Sequence, residues 1–415
     1  MINKIKNQFD RFLKSTQKYT GTDNVYLAKG GFWLILGQVS SMVAAFLLAV
    51  AFANLLDPAT YGNYKYILAL LGIFGIFSLD GMRAAVTQAA ARGLEGSFYT
   101  GFKTKLKWGL LGSLITIGIA IYYWNNGNNL LPIPLLISAV FLPLMYASQL
   151  YGALLNGRKL FSVLVSYRIV NQIVSVGIMI MALLFTKNLF WLIAIYLISH
   201  TSLNYFFYFL TKVKFQPNKK EDIRTIPYAK HLSLMGVINC IATYLDKILL
   251  FTLVGPTQLA IYAFAVLVPE QIKTITENIN TLAFPKLAPK SREEIKANMM
   301  KKFWRLSLLA GAIIILYIVI APYFYKIFFS QYLTSIPYSQ VFMFTLISLP
   351  SSLMATAFRA KMMKKELYLL RFVPLTRIVL FAALIPLYGI WGVIIAKIGA
   401  EIVSLSLASF LFRKF

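Results

Sequence analysis

The chain has 415 residues, of which 59% are hydrophobic and only 13% charged, and its 41 Lys and Arg against 14 Asp and Glu give a formal net charge of +27. An average soluble domain is about 45–50% apolar and about 25% charged, so a mean hydropathy of +0.69 excludes a soluble nucleic-acid binder in spite of the charge. One cysteine, Cys240, excludes an intrachain disulfide and a cysteine metal site, and two histidines, His200 and His231, are too few for a histidine-rich one.

A membrane helix needs about 20 mostly apolar residues. Residues 1–29 are polar and basic and lack the apolar core and cleavage site of a signal peptide. Within them Ile2, Ile5, Phe9, Phe12 and Leu13 follow helical spacing among lysines, which fits either an interfacial helix or a solvated basic tail. Twelve apolar segments follow, at roughly 30–54, 64–88, 106–124, 131–155, 160–186, 189–211, 229–254, 257–284, 302–328, 337–358, 367–386 and 388–412. They predict an all-α polytopic membrane protein of about twelve transmembrane helices. The predicted units are an N-terminal six-helix bundle over 30–211, a polar linker over 212–228, a C-terminal six-helix bundle over 229–412 and a tail of 413–415. No stretch is long enough to form a separate soluble catalytic domain.

The basic residues are distributed unevenly among the connections. The two ends, the loops after even-numbered segments and the first five residues of the segments that follow those loops hold 32 of the 41, whereas the opposite ends of the segments hold only Lys65, Lys187 and Lys326. The positive-inside rule then places both termini in the cytoplasm and supports an even number of spans. Such basic loops also suit contact with anionic membrane lipids.

The two halves resemble each other. Asp57-Pro58-Ala59-Thr60-Tyr61-Gly62-Asn63-Tyr64 follows segment 1, and Gly255-Pro256-Thr257-Gln258-Leu259-Ala260-Ile261-Tyr262 follows segment 7, at an offset of 198. Arg168-Ile169-Val170 matches Arg377-Ile378-Val379 at an offset of 209, and Trp191 matches Trp391 at 200. Six helices per repeat make the two halves parallel, related by an axis along the membrane normal, with the substrate site expected between them around a central cavity.

Ionisable groups at membrane depth cost several kcal/mol unless paired or wetted, so each is a functional candidate. Asp80 and Arg83 are i,i+3 neighbours, and Lys397 and Glu401 are i,i+4 neighbours; each couple is placed either to neutralise itself within the bundle or to serve the site. Arg168, Asn171, Gln172 and Ser175 form one stripe on segment 5, and Glu270, Lys273, Thr274, Glu277, Asn278 and Thr281 a longer one on segment 8. Lys247, near a helix end, is expected to snorkel, and His200 to be a packing residue. Arg168 and Arg377 lack an in-helix partner and are repeat equivalents, which marks them for ligand binding; a planar, permanently charged guanidinium suits phosphate and sugar hydroxyls. Asp246, Glu270 and Glu277 are candidates for proton or cation coupling. Pro143, Pro269, Pro322, Pro350 and Pro374 are expected to kink their helices. The sequence has no phosphate-binding loop and no H-E-x-x-H zinc motif.

Tyr61-Gly62-Asn63-Tyr64, Ser78-Leu79-Asp80-Gly81-Met82-Arg83, Gln88-Ala89-Ala90-Ala91-Arg92-Gly93 and Tyr244-Leu245-Asp246-Lys247-Ile248-Leu249-Leu250 resemble the polysaccharide-exporter branch of the multidrug/oligosaccharidyl-lipid/polysaccharide flippase superfamily. The likeness runs over essentially the whole chain, with loose motifs. It implies a flippase of the prokaryotic cytoplasmic membrane, working by alternating access. Its substrate would be an undecaprenyl-phosphate- or diphosphate-linked oligosaccharide for O-antigen, teichoic acid or capsule. The resemblance further implies polysaccharide polymerase and chain-length machinery as partners, no cofactor beyond H+ or Na+ coupling, and no nucleic acid. In this reading the substrate meets Arg83, Arg168, Asn171, Gln172, Lys273, Arg377 and Lys397. Asp80, Asp246, Glu270, Glu277 and Glu401 balance charge or couple ions. A cation-coupled drug antiporter of the same fold is the alternative, with the carboxylates functional and the arginines structural. Short outer loops argue against a membrane glycosyltransferase or polymerase.

Overall fold

The computed structural model describes residues 24–287 and 289–413, and their side chains except those of 24–32, 34 and 277–286. The amphipathic stretch around Ile2–Leu13 and the last two residues lie outside the described residues. The helices are α1 (Asn24–Leu55), α2 (Pro58–Phe74, continued by a 3-10 turn over Gly75–Ser78), α3 (Met82–Ala91), α4 (Ser97–Asn125), α5 (Pro132–Ser148) and α6 (Tyr151–Gly157). They continue as α7 (Phe161–Phe185), α8 (Leu189–Phe215), α9 (Thr225–Val254), α10 (Pro256–Leu287) and α11 (Arg292–Phe328). The chain ends with α12 (Ile336–Phe342), α13 (Leu349–Ala360), α14 (Lys364–Leu370), α15 (Val373–Tyr388) and α16 (Ile390–Arg413). Among the described residues 11 elements are long and apolar enough to cross a membrane, and the pair α2–α3, bent by 48°, makes the twelfth. The protein is a multi-pass membrane protein. Spans 5, 6, 11 and 12 are α7, α8, α15 and α16, and spans 7 and 8 are α9 and α10.

Local chemistry explains where the helices start. Asp57 caps α2 by accepting from the Thr60 N–H at 2.8 Å, and Pro58 takes the first turn, where its missing N–H is harmless. Pro256 opens α10 in the same manner, as the repeat requires. Ser291 accepts from the Glu294 N–H, with Glu293 and Glu294 in the first turn of α11. Pro143 and Pro322 lie inside α5 and α11, but Pro350 and Pro374 do not kink helices: they stand at the first positions of α13 and α15.

Span 2 was expected as one helix over 64–88 and is instead broken. Leu79 takes a left-handed conformation (φ 54°) between the 3-10 turn and α3, a geometry that costs a non-glycine residue roughly 1–2 kcal/mol. The break is held by α4: the Lys105 ammonium donates to the Leu79 carbonyl at 3.5 Å, and the Ser78 hydroxyl donates to the Lys105 carbonyl at 3.2 Å. Lys105, assigned from sequence to a basic loop, is thus a buried residue inside a span.

The two halves meet tightly at the end of the bundle remote from the basic loops. There Phe46 of α1 packs on Phe324 and Phe328 of α11, Tyr61 of α2 on Phe264 of α10, and Tyr66 stacks on Phe251 of α9 at 3.8 Å and 7°. The Asn54 amide donates to the Phe328 carbonyl at 3.1 Å. Gly62 faces Pro256 so closely that any Cβ would collide with the Pro256 carbonyl. The two copies of the repeat motif therefore touch each other, and only glycine fits at the contact.

At the basic end, residues 216–224 join α8 to α9 and are fastened to the N-terminal half. Arg158 grips Glu95 with two hydrogen bonds of 2.5 and 2.6 Å and donates to the Phe215 carbonyl at 2.8 Å. The Asn218 N–H donates to Glu95, the Gly96 N–H to the Lys220 carbonyl, and Arg92 pairs with Asp222. Within the polar linker over 212–228, this stretch forms a strap on the first half. Hydrogen bonds from Arg158 hold the Glu95 carboxyl below its usual value of 4.5.

Candidate functional site

Three cavities lie between the closed end and the basic end. The first, about 320 Å³, is bounded by α3, α6, α7 and α8 and lined by Arg83, Arg168, Asn171, Gln172, His200 and Asn204 among others. The second, about 380 Å³, lies deeper, between the halves, and is lined by Lys65, Tyr64, Tyr196, Lys247, Glu270 and again Gln172 and His200. The third, about 630 Å³, follows the seam between α2–α3 and α9, where Asp80 and Arg83 face Asn239, Thr243 and Tyr244. Gln172 and His200 join the first two cavities, and Arg83 joins the first and third.

The first cavity is built on the polar stripe of α7. The Asn171 amide donates to Asn204 on α8 at 2.8 Å, and the Ser175 hydroxyl donates to Asn171 at 3.2 Å, so the wall is fixed by buried hydrogen bonds. Among the described residues Arg168 has no ion-pair partner, whereas Arg83 pairs with Asp80 at 2.9 Å with half of its side chain exposed. Four bases (Lys65, Arg83, Arg168, Lys247) and two acids (Asp80, Glu270) line the three cavities.

In the C-terminal half the charges are spent on one another. Asp246, fully buried on α9, takes the Lys397 ammonium at 2.9 Å, the Tyr262 hydroxyl at 2.6 Å and the Lys247 N–H at 2.8 Å. Lys397 also reaches Glu270 at 3.4 Å. Glu401 on α16 holds Lys273 of α10 at 2.6 Å and Arg377 of α15 at 3.3 Å. The in-helix pairing of Lys397 with Glu401 is therefore absent; adjacent turns of α16 send the two side chains to different neighbours, because each finds an opposite charge across a helix interface. Arg377, expected to be without a partner, has Glu401, with its buried Nε left unbonded. The side chain of Glu277 lies outside the described residues.

The geometry thus brings Arg83, Arg168, Asn171 and Gln172 into one cavity and places Lys273, Arg377, Lys397, Asp246 and Glu401 in two ion-pair clusters beside it. Several cavity residues were not legible as such. Lys65 stands inside α2 with its ammonium over the Tyr61 ring, and not in an outer loop. Lys247 faces the second cavity over Tyr244 and does not snorkel. His200 lines two cavities with its ring 4.5 Å from that of Tyr196. Asn204 and Tyr196 gave a signal only as polar positions on span 6, facing the stripe on span 5.

A twelve-span bundle of two parallel six-helix repeats around a central cavity defines a membrane transporter fold. The chain belongs to the polysaccharide biosynthesis protein family, whose model matches residues 27–288. None of the curated protein sequences compared with the chain matches it. Solved structures give the fold. The lipid II flippase MurJ in an inward closed conformation is similar at a TM-score of 0.66, with 14% identity over 91% of this chain and 87% of that one. An inward-facing multidrug resistance MATE family transporter of the MOP superfamily has a TM-score of 0.62 and 12% identity over 91% and 95%. A MOP superfamily transporter from Pyrococcus furiosus, described by the reverse polarity of its binding pocket, has a TM-score of 0.53 and 13% identity over 94% of both chains.

Proposed function

We propose that this protein is a flippase that carries a polyprenyl-phosphate- or diphosphate-linked oligosaccharide across a prokaryotic cytoplasmic membrane for surface polysaccharide synthesis. The observation that carries this reading is Arg168: a permanent charge without a built-in counter-ion, on the wall of a cavity rich in amides, beside Arg83. A guanidinium left open in this way is matched by a phosphate, whose oxygens accept its parallel N–H groups. Side-chain amides and tyrosines, such as Asn171, Gln172, Asn204 and Tyr196, offer hydrogen bonds and ring faces to sugars. The positive-inside rule supports a cytoplasmic position for the basic loops and both termini, and in this reading the substrate loads from the leaflet where it is assembled. Sequestered carboxylates speak against an organic-cation antiporter, since Asp246 and Glu401 are each held by a tethered cation. In this reading Asp246, Glu270 and Glu401 serve as charge balance. Polymerase and chain-length machinery are the proposed partners on the far side of the membrane.

The test is flipping of a fluorescent undecaprenyl-diphosphate-linked sugar in proteoliposomes. Arg168→Gln is expected to lower the rate about 10–100-fold, equivalent to the 1.5–3 kcal/mol of a charge-assisted hydrogen bond. Wild-type protein that flips no polyprenyl-linked sugar, yet exports organic cations in the same vesicles, would overturn the reading.

A further inference from the structure

The second ion-pair cluster has an unusual centre. The Lys397 ammonium is nearly dehydrated, with 12% of its side chain exposed, and the groups in contact with it are carboxylates and ring faces, which suit a cation. Asp246 stands at 2.9 Å and Glu270 at 3.4 Å, and the rings of Phe342 and Tyr262 lie 5.3 and 5.4 Å away. The groups come from α9, α10 and α12 and the ammonium from α16, so one charge joins four helices of the same half. Asp246 is completed by donors that do not carry a compensating charge, the Tyr262 hydroxyl and the Lys247 N–H. Without Lys397, the charge nearest the two carboxylates is Lys247, whose ammonium lies over the Tyr244 ring on the cavity side, and the fully buried Asp246 would be left to take a cation from solution or a proton.

We infer that Lys397 is a tethered counter-cation: its ammonium occupies, between Asp246 and Glu270, the position that a diffusible Na+ would otherwise fill, so these two carboxylates bind no Na+. The arm of the lysine allows the charge to stay with the carboxylates in every conformation, with nothing to load or release. The repeat supports this. Counting back by the offsets of the repeat motif and of Trp191 and Trp391, the N-terminal counterparts of Asp246, Glu270 and Lys397 are Leu48, Gly72 and Leu197. The cluster is therefore an addition to one half, with acid and base present together and absent together. The inference goes beyond the proposed cargo and holds whatever that cargo is.

Purified full-length protein tests it with Na+ as the probe. Thermal unfolding is measured at equal ionic strength in sodium, lithium, potassium and choline chloride, beside binding of radioactive sodium. For the wild type no Na+-specific shift and no bound sodium are expected. For Lys397→Met the melting temperature in choline is expected to fall, with roughly 2–4 °C recovered in sodium or lithium and about one sodium bound per chain. Lys397→Arg, which keeps the charge, is expected to remain indifferent to Na+. Two results would overturn the inference: a Na+-specific stabilisation of the wild type that Asp246→Asn abolishes, or a folded Lys397→Met protein that neither binds sodium nor is stabilised by it. Should Lys397→Met not fold, the wild-type arm still decides. The double variant Lys397→Met/Asp246→Asn, free of both charges, is then expected to fold and to ignore sodium.

Discussion

Arg168 and Arg377 begin the same Arg-Ile-Val tripeptide on equivalent spans, and the fold gives them opposite surroundings. Arg377 is bound to Glu401, which also holds Lys273. At the offset of 200 that relates Trp191 to Trp391, the counterpart of Glu401 is Thr201, which is buried and carries no charge, and Arg168 remains open on the cavity wall. A single acid on the neighbouring span thus separates an ion-paired arginine from one on a cavity wall. The two halves share a frame, and the second carries charge pairs at positions where the first has none.

The comparison can be broken most severely at Glu401. Glu401→Gln leaves Lys273 and Arg377 without their counter-ion at membrane depth. A loss of about 3–5 kcal/mol is expected, seen as a sharply lowered melting temperature and poor recovery of folded protein. Arg168→Gln is expected to leave the melting temperature almost unchanged while flipping collapses; equal destabilisation by the two variants would erase the distinction between the halves. Next in size is Gly62→Ala, which sets a methyl group against the Pro256 carbonyl and should cost the closed end at least about 1–3 kcal/mol. In a Cys240→Ser background, a thiol placed at Asn54 should then react several-fold faster with a membrane-impermeant reagent, because the seal formed by Phe46 and Phe328 no longer closes. A transferred charge sharpens the argument: Thr201→Glu should capture Arg168 as Glu401 captures Arg377, abolishing flipping without lowering stability. The smallest effect belongs to the strap. Glu95→Gln should cost about 1 kcal/mol, since the amide oxygen of the buried side chain can still accept from Arg158, whose own side chain is 26% exposed and open to water. Because pairing lowers the Glu95 pKa in the folded state, its contribution is present above the ordinary glutamate value of 4.5 and is lost as pH falls through the lowered one. The strap should therefore resist proteolysis at neutral pH and loosen only in acid.

Much of the architecture is legible in the sequence alone. Twelve apolar segments and the proline that opens the second helix of each half follow from composition and helix chemistry, and the spans and starts agree. The bend of span 2 was not readable, because nothing in Gly75–Met82 forbids a straight helix; Lys105, distant in sequence, stabilises the break through the Leu79 carbonyl. Lys65 and Lys247 illustrate the same difficulty from the other side. Their membrane depth could be counted from helix boundaries, but the direction each faces depends on how neighbouring helices rotate.

The sequence by itself determined the kind of molecule, because apolar length, loop charge and a repeat are additive properties of one dimension. It also determined which side chains must be costly, since charges inside apolar segments are visible at once. Only the tertiary structure decided how those costs are met. Ion pairing acts over a few ångströms and across helix interfaces, so the in-helix spacing of Lys397 and Glu401 counted for less than the nearness of Asp246 and Arg377. For the same reason, one of two arginines that look equivalent in the sequence is neutralised by the fold and the other is left facing the cavity.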